Sequence, residues 1–67
     1  MTLHEELITK ACLNSTDFGT VTAETLEVRH SNRAYDYLRK RLPFRIFDNL
    51  SAVKRNGAMF MVVPNNI

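Results

Sequence analysis

Residues 22–42 read Thr22-Ala23-Glu24-Thr25-Leu26-Glu27-Val28-Arg29-His30-Ser31-Asn32-Arg33-Ala34-Tyr35-Asp36-Tyr37-Leu38-Arg39-Lys40-Arg41-Leu42, and the folding of this stretch decides which surface the chain presents. Thr22 is a good helix N-cap, and Ala23, Leu26 and Val28 supply apolar members, so the first part reads as a short helix. Arg29-His30-Ser31 breaks it. Ser31 is the next N-cap, and the helix it opens spans residues 31–42, stopping before Pro43, which biases its predecessor away from helix. Ala34, Leu38 and Leu42 recur every four residues with Tyr35 beside them, an apolar stripe that requires a core. The opposite face carries Asn32, Arg33, Asp36, Tyr37 and Lys40, with Arg39 at its edge.

Upstream, Thr2 to Asn14 reads as another helix. Thr2 with Glu5 three residues later forms a capping-box pattern. Leu3, Leu7, Ile8 and Ala11 fall on one face, while Glu5, Glu6 and Lys10 face away. Asn14-Ser15-Thr16-Asp17 ends the helix, and Phe18 to Val21 makes a short strand. Downstream of Pro43 the pattern changes. Phe44-Arg45-Ile46-Phe47 alternates weakly and reads as strand, with a turn at Asp48-Asn49. Asn56-Gly57 is a strong hairpin signal, because both central residues of a type I′ turn need positive φ. A two-residue loop there pairs Arg55 with Ala58, Val53 with Phe60 and Ser51 with Val62. In the return strand, Met59, Met61 and Val63 share one face, and Phe60 and Val62 share the other. Both faces are apolar, so either residues 44–47 fold over the second face or a homodimer forms through the hairpin or the first helix.

Composition sets the bounds. With 67 residues, 45% hydrophobic and 24% charged, residues 1–67 make one small domain with a thin core. Nine Lys+Arg against seven Asp+Glu leave a net charge of +2, too mild to demand nucleic acid by itself. A single cysteine, Cys12, precludes an internal disulfide framework and reads as a partly buried apolar residue or an idle thiol. No apolar run reaches the roughly 18–20 residues of a membrane span, and the acidic start lacks a signal-peptide pattern. A cytoplasmic protein with no membrane partner is the expectation.

Helix, short strand, helix, turn, helix and basic-tipped hairpin is an order that resembles the winged helix-turn-helix superfamily. The resemblance is carried by residues 19–26, by residues 28–40, and by Val53-Lys54-Arg55-Asn56-Gly57-Ala58-Met59-Phe60 as the wing. It covers nearly the whole chain as a pattern, and the small size resembles that of phage or plasmid regulators and excisionase-like proteins. It implies an α+β fold of three helices followed by a C-terminal β-hairpin, with the third helix entering DNA. Arg29 and His30 stand where such turns often carry a small residue.

The residue chemistry is compatible with that role. A helix fits the major groove of double-stranded DNA, and its N-terminal residues reach base edges. Those residues are Ser31, Asn32 and Arg33. Asn bridges adenine and Arg bridges guanine in bidentate fashion, and Asp36 either accepts from a cytosine amino group or orients Arg33 or Lys40. Tyr37, Arg39, Lys40 and Arg29 suit phosphates, and Lys54 and Arg55 at the hairpin tip suit a flanking phosphate or the minor groove. The reading is a DNA-binding transcriptional regulator or architectural factor. The alternative is a protein-interaction module on the same scaffold, such as a phage-encoded inhibitor of a host protein, suggested by the modest charge and the Met/Phe hairpin. No nucleophile, metal set or phosphate loop stands out, so neither catalysis nor a cofactor or metal is implied. His30 reads as a turn residue, and Glu5-Glu6 as favourable charge at a helix N-terminus.

Overall fold

A computed structural model describes residues 2–67 of the chain. Thr2 caps helix α1 (Leu3–Thr9): its hydroxyl accepts from the Glu5 N–H at 3.3 Å, and the Glu5 carboxylate accepts from the Thr2 N–H at 3.1 Å. Leu3, Leu7 and Ala11 turn inward, but Ile8 is 44% exposed. The helix ends well before Asn14. Cys12, at φ 59, redirects the chain so that Leu13 returns to the core and its N–H donates to the Leu7 carbonyl at 3.0 Å. The thiol residue is exposed rather than partly buried. A 3₁₀ turn (Ser15–Asp17) leads into strand β1 (Phe18–Val21).

The expected second helix does not form. Thr25–Arg29 is strand β2, antiparallel to β1. The Thr22 hydroxyl does accept from the N–H three residues on, Thr25, at 2.9 Å, as an N-cap would, but here that bond closes the turn between the two strands. The backbone N–H of Thr22 donates to the Thr25 carbonyl at the same distance. Leu26 and Val28 are fully buried at a spacing of two, and β-branched Thr25 and Val28 favour the extended backbone. The local cap chemistry is common to both outcomes; pairing with β4 decides for strand.

The C-terminal hairpin forms in the expected register. Strands β3 (Ser51–Arg55) and β4 (Ala58–Pro64) pair Arg55 with Ala58, Val53 with Phe60 and Ser51 with Val62. Asn56 and Gly57 have φ of 50 and 80, as a type I′ turn requires. β4 also pairs with β2, so the sheet has four antiparallel strands in the order β1-β2-β4-β3. The register places Leu26, Val28, Met61 and Val63 on one face. That face joins Leu3, Leu7, Ala11, Leu13, Ala34, Leu38 and Leu42 in a single buried cluster. The molecule is therefore two layers, helices over one side of a sheet.

Helix α2 (Asn32–Arg41) lies within the expected 31–42 segment. The strand expected over Phe44–Phe47 is instead a one-turn helix, α3. Pro43, with φ −55, starts that turn, and its carbonyl accepts from the N–H groups of Ile46 and Phe47, both at 3.0 Å. A turn at Asp48-Asn49 would set a strand at residues 44–47 against the outer edge of β3, giving a three-stranded meander; β3 is instead the edge strand of the sheet, and the Pro43 turn takes residues 44–47 away from it. Ile46 and Phe47 pack against the main cluster, on the helical side, so this segment does not cover the other face of the sheet.

On that other face Phe60 is buried and Val62 half-buried. Arg55 of β3 reaches Glu27 of β2 with two bonds, at 2.8 and 3.2 Å, bridging across β4. Glu27 also accepts from the Thr20 N–H at 3.0 Å. Gly19 makes room for this carboxylate: a Cβ there would lie 3.0 Å from the Glu27 Cβ and collide with its Oε1.

Asn65 ties the chain ends. Its side chain accepts from the His4 N–H at 2.9 Å and donates to the Thr22 carbonyl at 2.7 Å. Its backbone accepts from the Leu3 N–H and donates to the Glu24 carbonyl. Leu38→Ala should cost about 2–5 kcal/mol of stability through the cavity it leaves. In a domain this small, that appears as partial unfolding in urea titrations followed by circular dichroism. Asn65→Ala should remove its side-chain bonds to the part-buried His4 N–H and Thr22 carbonyl and lower the urea midpoint, at about 0.5–1.5 kcal/mol per bond lost. Asn66→Ala, at an exposed position, should leave the urea midpoint unchanged.

Candidate nucleic-acid interface

The seating of α2 follows from its sequence. The Ser31 hydroxyl accepts from the Ala34 N–H at 3.2 Å, and Ala34, Leu38 and Leu42 are buried against the sheet. A second lock comes from α1. The Glu6 carboxylate accepts from Arg41 Nε at 2.8 Å, from Arg41 Nη2 at 3.2 Å and from the Tyr37 hydroxyl at 3.0 Å. Glu6 was expected to face outward. It is buried because α2 supplies three donors that offset the loss of water. Arg41 holds its carboxyl below the usual carboxylate range, with Tyr37 adding to the effect. Burial first, then donation to Glu6, pushes the Tyr37 phenol up. Glu27 is lowered likewise by Arg55 and by the Thr20 N–H.

With its inner side buried, α2 shows a broad outward arc. At 3.6 residues per turn, Asn32 and Asp36 run along the crest, Arg33 and Lys40 slope toward α1, and Tyr35 and Arg39 slope toward α3. All six are exposed. On the α1 side, Lys10, Cys12, Arg33, Asp36 and Lys40 border an open cleft of about 520 Å³. An Arg33 guanidinium nitrogen lies 3.5 Å from the Cys12 carbonyl oxygen. On the α3 side, Tyr35, Arg39, Phe44, Phe47 and Asp48 line a cavity of about 500 Å³. Tyr35 and Phe47 meet edge to face at 5.1 Å, and the His30 ring is 5.7 Å from Tyr35.

The structure brings together Asn32, Arg33, Asp36, Arg39 and Lys40 of the expected site. Ser31 is engaged as the helix cap, and Tyr37 with Glu6. Arg29 pairs in register with Phe60, on the sheet face opposite the helices, and Arg55 bonds Glu27 on that same face. Lys54, opposite Met59 in register, is exposed and belongs to the helix-bearing side. The hairpin tip thus divides its two cations between opposite faces. Lys10, expected to face away, joins the cationic cleft because α1 ends beside α2. Sequence spacing alone links residues 10 and 33 to nothing. Phe44, Phe47 and Asp48 line the second cavity only because their segment is a helical turn. No cluster of three or more His, Cys, Asp or Glu side chains suited to a metal ion occurs among the described residues.

Comparison with known proteins returned no matching family model, no curated protein and no solved structure at a significant level.

The two seated carboxylates set an acid dependence. Their folded pKa lies below the unfolded value, so their stabilisation is complete above the unfolded carboxylate range and fades as pH falls through the folded pKa. Arg41 and Arg55 are both partly solvated, which moderates the effect. Urea midpoints should fall steadily below about pH 4.5. The double variant Glu6→Gln, Glu27→Gln should be less stable at neutral pH and show a flatter acid limb.

Proposed function

We propose that the chain binds double-stranded DNA through the outward arc of α2, as a small regulator or architectural factor. The observation that supports this reading is the union of Arg33, Lys40 and Lys10 at one cleft beside an exposed crest that begins with Asn32. A ten-residue helix is about 15 Å long and fits the major groove when its backing does not obstruct it. Asn32 and Arg33 stand at its start, where base edges are reached, and suit adenine and guanine respectively. Lys40, Lys10 and Arg39 suit flanking phosphates. Asp36, on the crest among these cations, suits a cytosine amino group.

The reading keeps the recognition helix and the C-terminal hairpin of the winged-helix pattern. It dispenses with the helix that would precede α2, since those residues form β2. Lys54, on the helix-bearing side, is the hairpin cation suited to a second phosphate contact; Arg55 is held by Glu27 and is left out.

A fluorescence-anisotropy titration of duplex DNA between about 50 and 200 mM salt should give a linear log–log loss of affinity, with a slope near −0.9 per neutralised phosphate. Arg33→Ala and Lys40→Ala should each weaken binding and flatten the slope by about 1, with unaltered thermal melting. Lys54→Ala should have a smaller effect, and Arg55→Ala should lower stability rather than affinity. Salt-independent binding, or none, would overturn the proposal and favour recognition of a protein partner.

A further inference from the structure

The cavity between α2 and α3 is built from two helical pairs at the same spacing. Tyr35 and Arg39 stand four apart on α2, and Phe44 and Asp48 four apart across α3, where the Asp48 N–H donates to the Phe44 carbonyl at 2.9 Å. Residues four apart on a helix share a flank. Each wall therefore sets an aromatic ring beside a charge, and Phe47 is wedged against Tyr35 between them. Phe44 is 79% exposed. A lone exposed phenyl is ordinary, but this one forms the wall of a concave site next to a second ring. Arg39 and Asp48 line the same cavity without forming an ion pair with each other, and neither has a charged partner among the described residues. A ligand with flat apolar faces and an edge bearing both donors and acceptors satisfies all four side chains.

We propose that this cavity receives one unpaired nucleobase of the DNA held by α2; the proposal rests on the DNA-binding reading above. Base faces stack on aromatic side chains, which suits Phe44 and Tyr35. The Asp48 carboxylate is an acceptor with two oxygens, and it matches the adjacent ring N–H and amino N–H of guanine. The other three bases lack that adjacent donor pair. Arg39 offers donors to a base carbonyl or to the neighbouring phosphate. A base within a strand is favoured over a free nucleotide because exposed Arg45 follows Phe44 and the cationic arc of α2 adjoins Tyr35 and Arg39, giving the strand's phosphates a path away from the cavity.

The test compares a fully paired duplex with duplexes carrying a single-nucleotide guanine, adenine, cytosine or thymine bulge, at one salt concentration. The guanine bulge should bind about tenfold more tightly than the perfect duplex, the size of one stacked base. Phe44→Ala and Asp48→Asn, both at exposed positions, should keep the perfect-duplex affinity. Phe44→Ala should abolish the preference for any bulge, and Asp48→Asn the preference for guanine over the other bases. Equal affinity for bulged and perfect duplexes overturns the cavity assignment while leaving the α2 reading intact. Loss of all duplex binding overturns both. Free dGMP that binds as tightly as the guanine bulge overturns the assignment to a strand.

Discussion

The placement of every outward side chain depends on one burial event, the packing of Leu26, Val28, Met61 and Val63 beneath Ala34, Leu38 and Leu42. Strands contribute residues at spacing two and α2 contributes them at spacing four, and the two patterns meet on a single face. Once α2 is fixed by its apolar stripe, Arg33, Asp36, Arg39 and Lys40 have no direction left but outward. Their exposure is a consequence of the core, which is why a cationic surface can exist on a chain with only a small net charge.

Two carboxylates refine that arrangement. Glu6 locks the angle between α1 and α2 through Arg41 and Tyr37, and Glu27 of β2 links the two edge strands through the Thr20 N–H of β1 and Arg55 of β3. Each pairs with one partly solvated arginine, and the consequence is unequal. Arg41 sits at the inner edge of α2, so its pairing leaves the outward arc intact. Arg55 is drawn to the face of the sheet that lacks helices, which separates the hairpin tip from α2. The outward charges of α2 lie on the helical layer, and the aromatic cavity adjoins them on the same layer.

Much of the architecture was legible where the signal is local and self-contained. Thr2 with Glu5, Ser31 with the four-residue apolar repeat, and Asn56-Gly57 each specify their geometry within a few residues, and α1, α2 and the hairpin register follow from them. Residues 22–28 read as helix in isolation because the hydroxyl-to-amide bond of Thr22 serves a helix cap and a strand turn equally. Only pairing with β4, some 35 residues away in sequence, separates the two, and no local pattern reports it. Residues 44–47 alternate weakly, as a strand would, but Pro43 opens a helical turn there and their apolar side chains pack against the helical side of the core, a preference that only tertiary packing reveals. At the site, the exposure of Asn32, Arg33, Asp36, Arg39 and Lys40 is readable from periodicity, whereas Tyr35, expected on the apolar stripe, is exposed and Tyr37, expected outside, is half-buried against Glu6. The contributions of Lys10, Phe44 and Asp48 are not readable in this way, since they come from other elements brought beside α2 by tertiary packing.

The bonds of Asn65 to Leu3, His4, Thr22 and Glu24 carry a kinetic meaning as well. A helix of seven residues is too short to persist in isolation, so α1 relies on its packing and on amides satisfied by a residue near the opposite terminus. Fraying at either extremity therefore propagates to the other. The Leu3 and His4 amides find their acceptors only once the segment after β4 is docked, so α1 is secured after the sheet it packs on has formed.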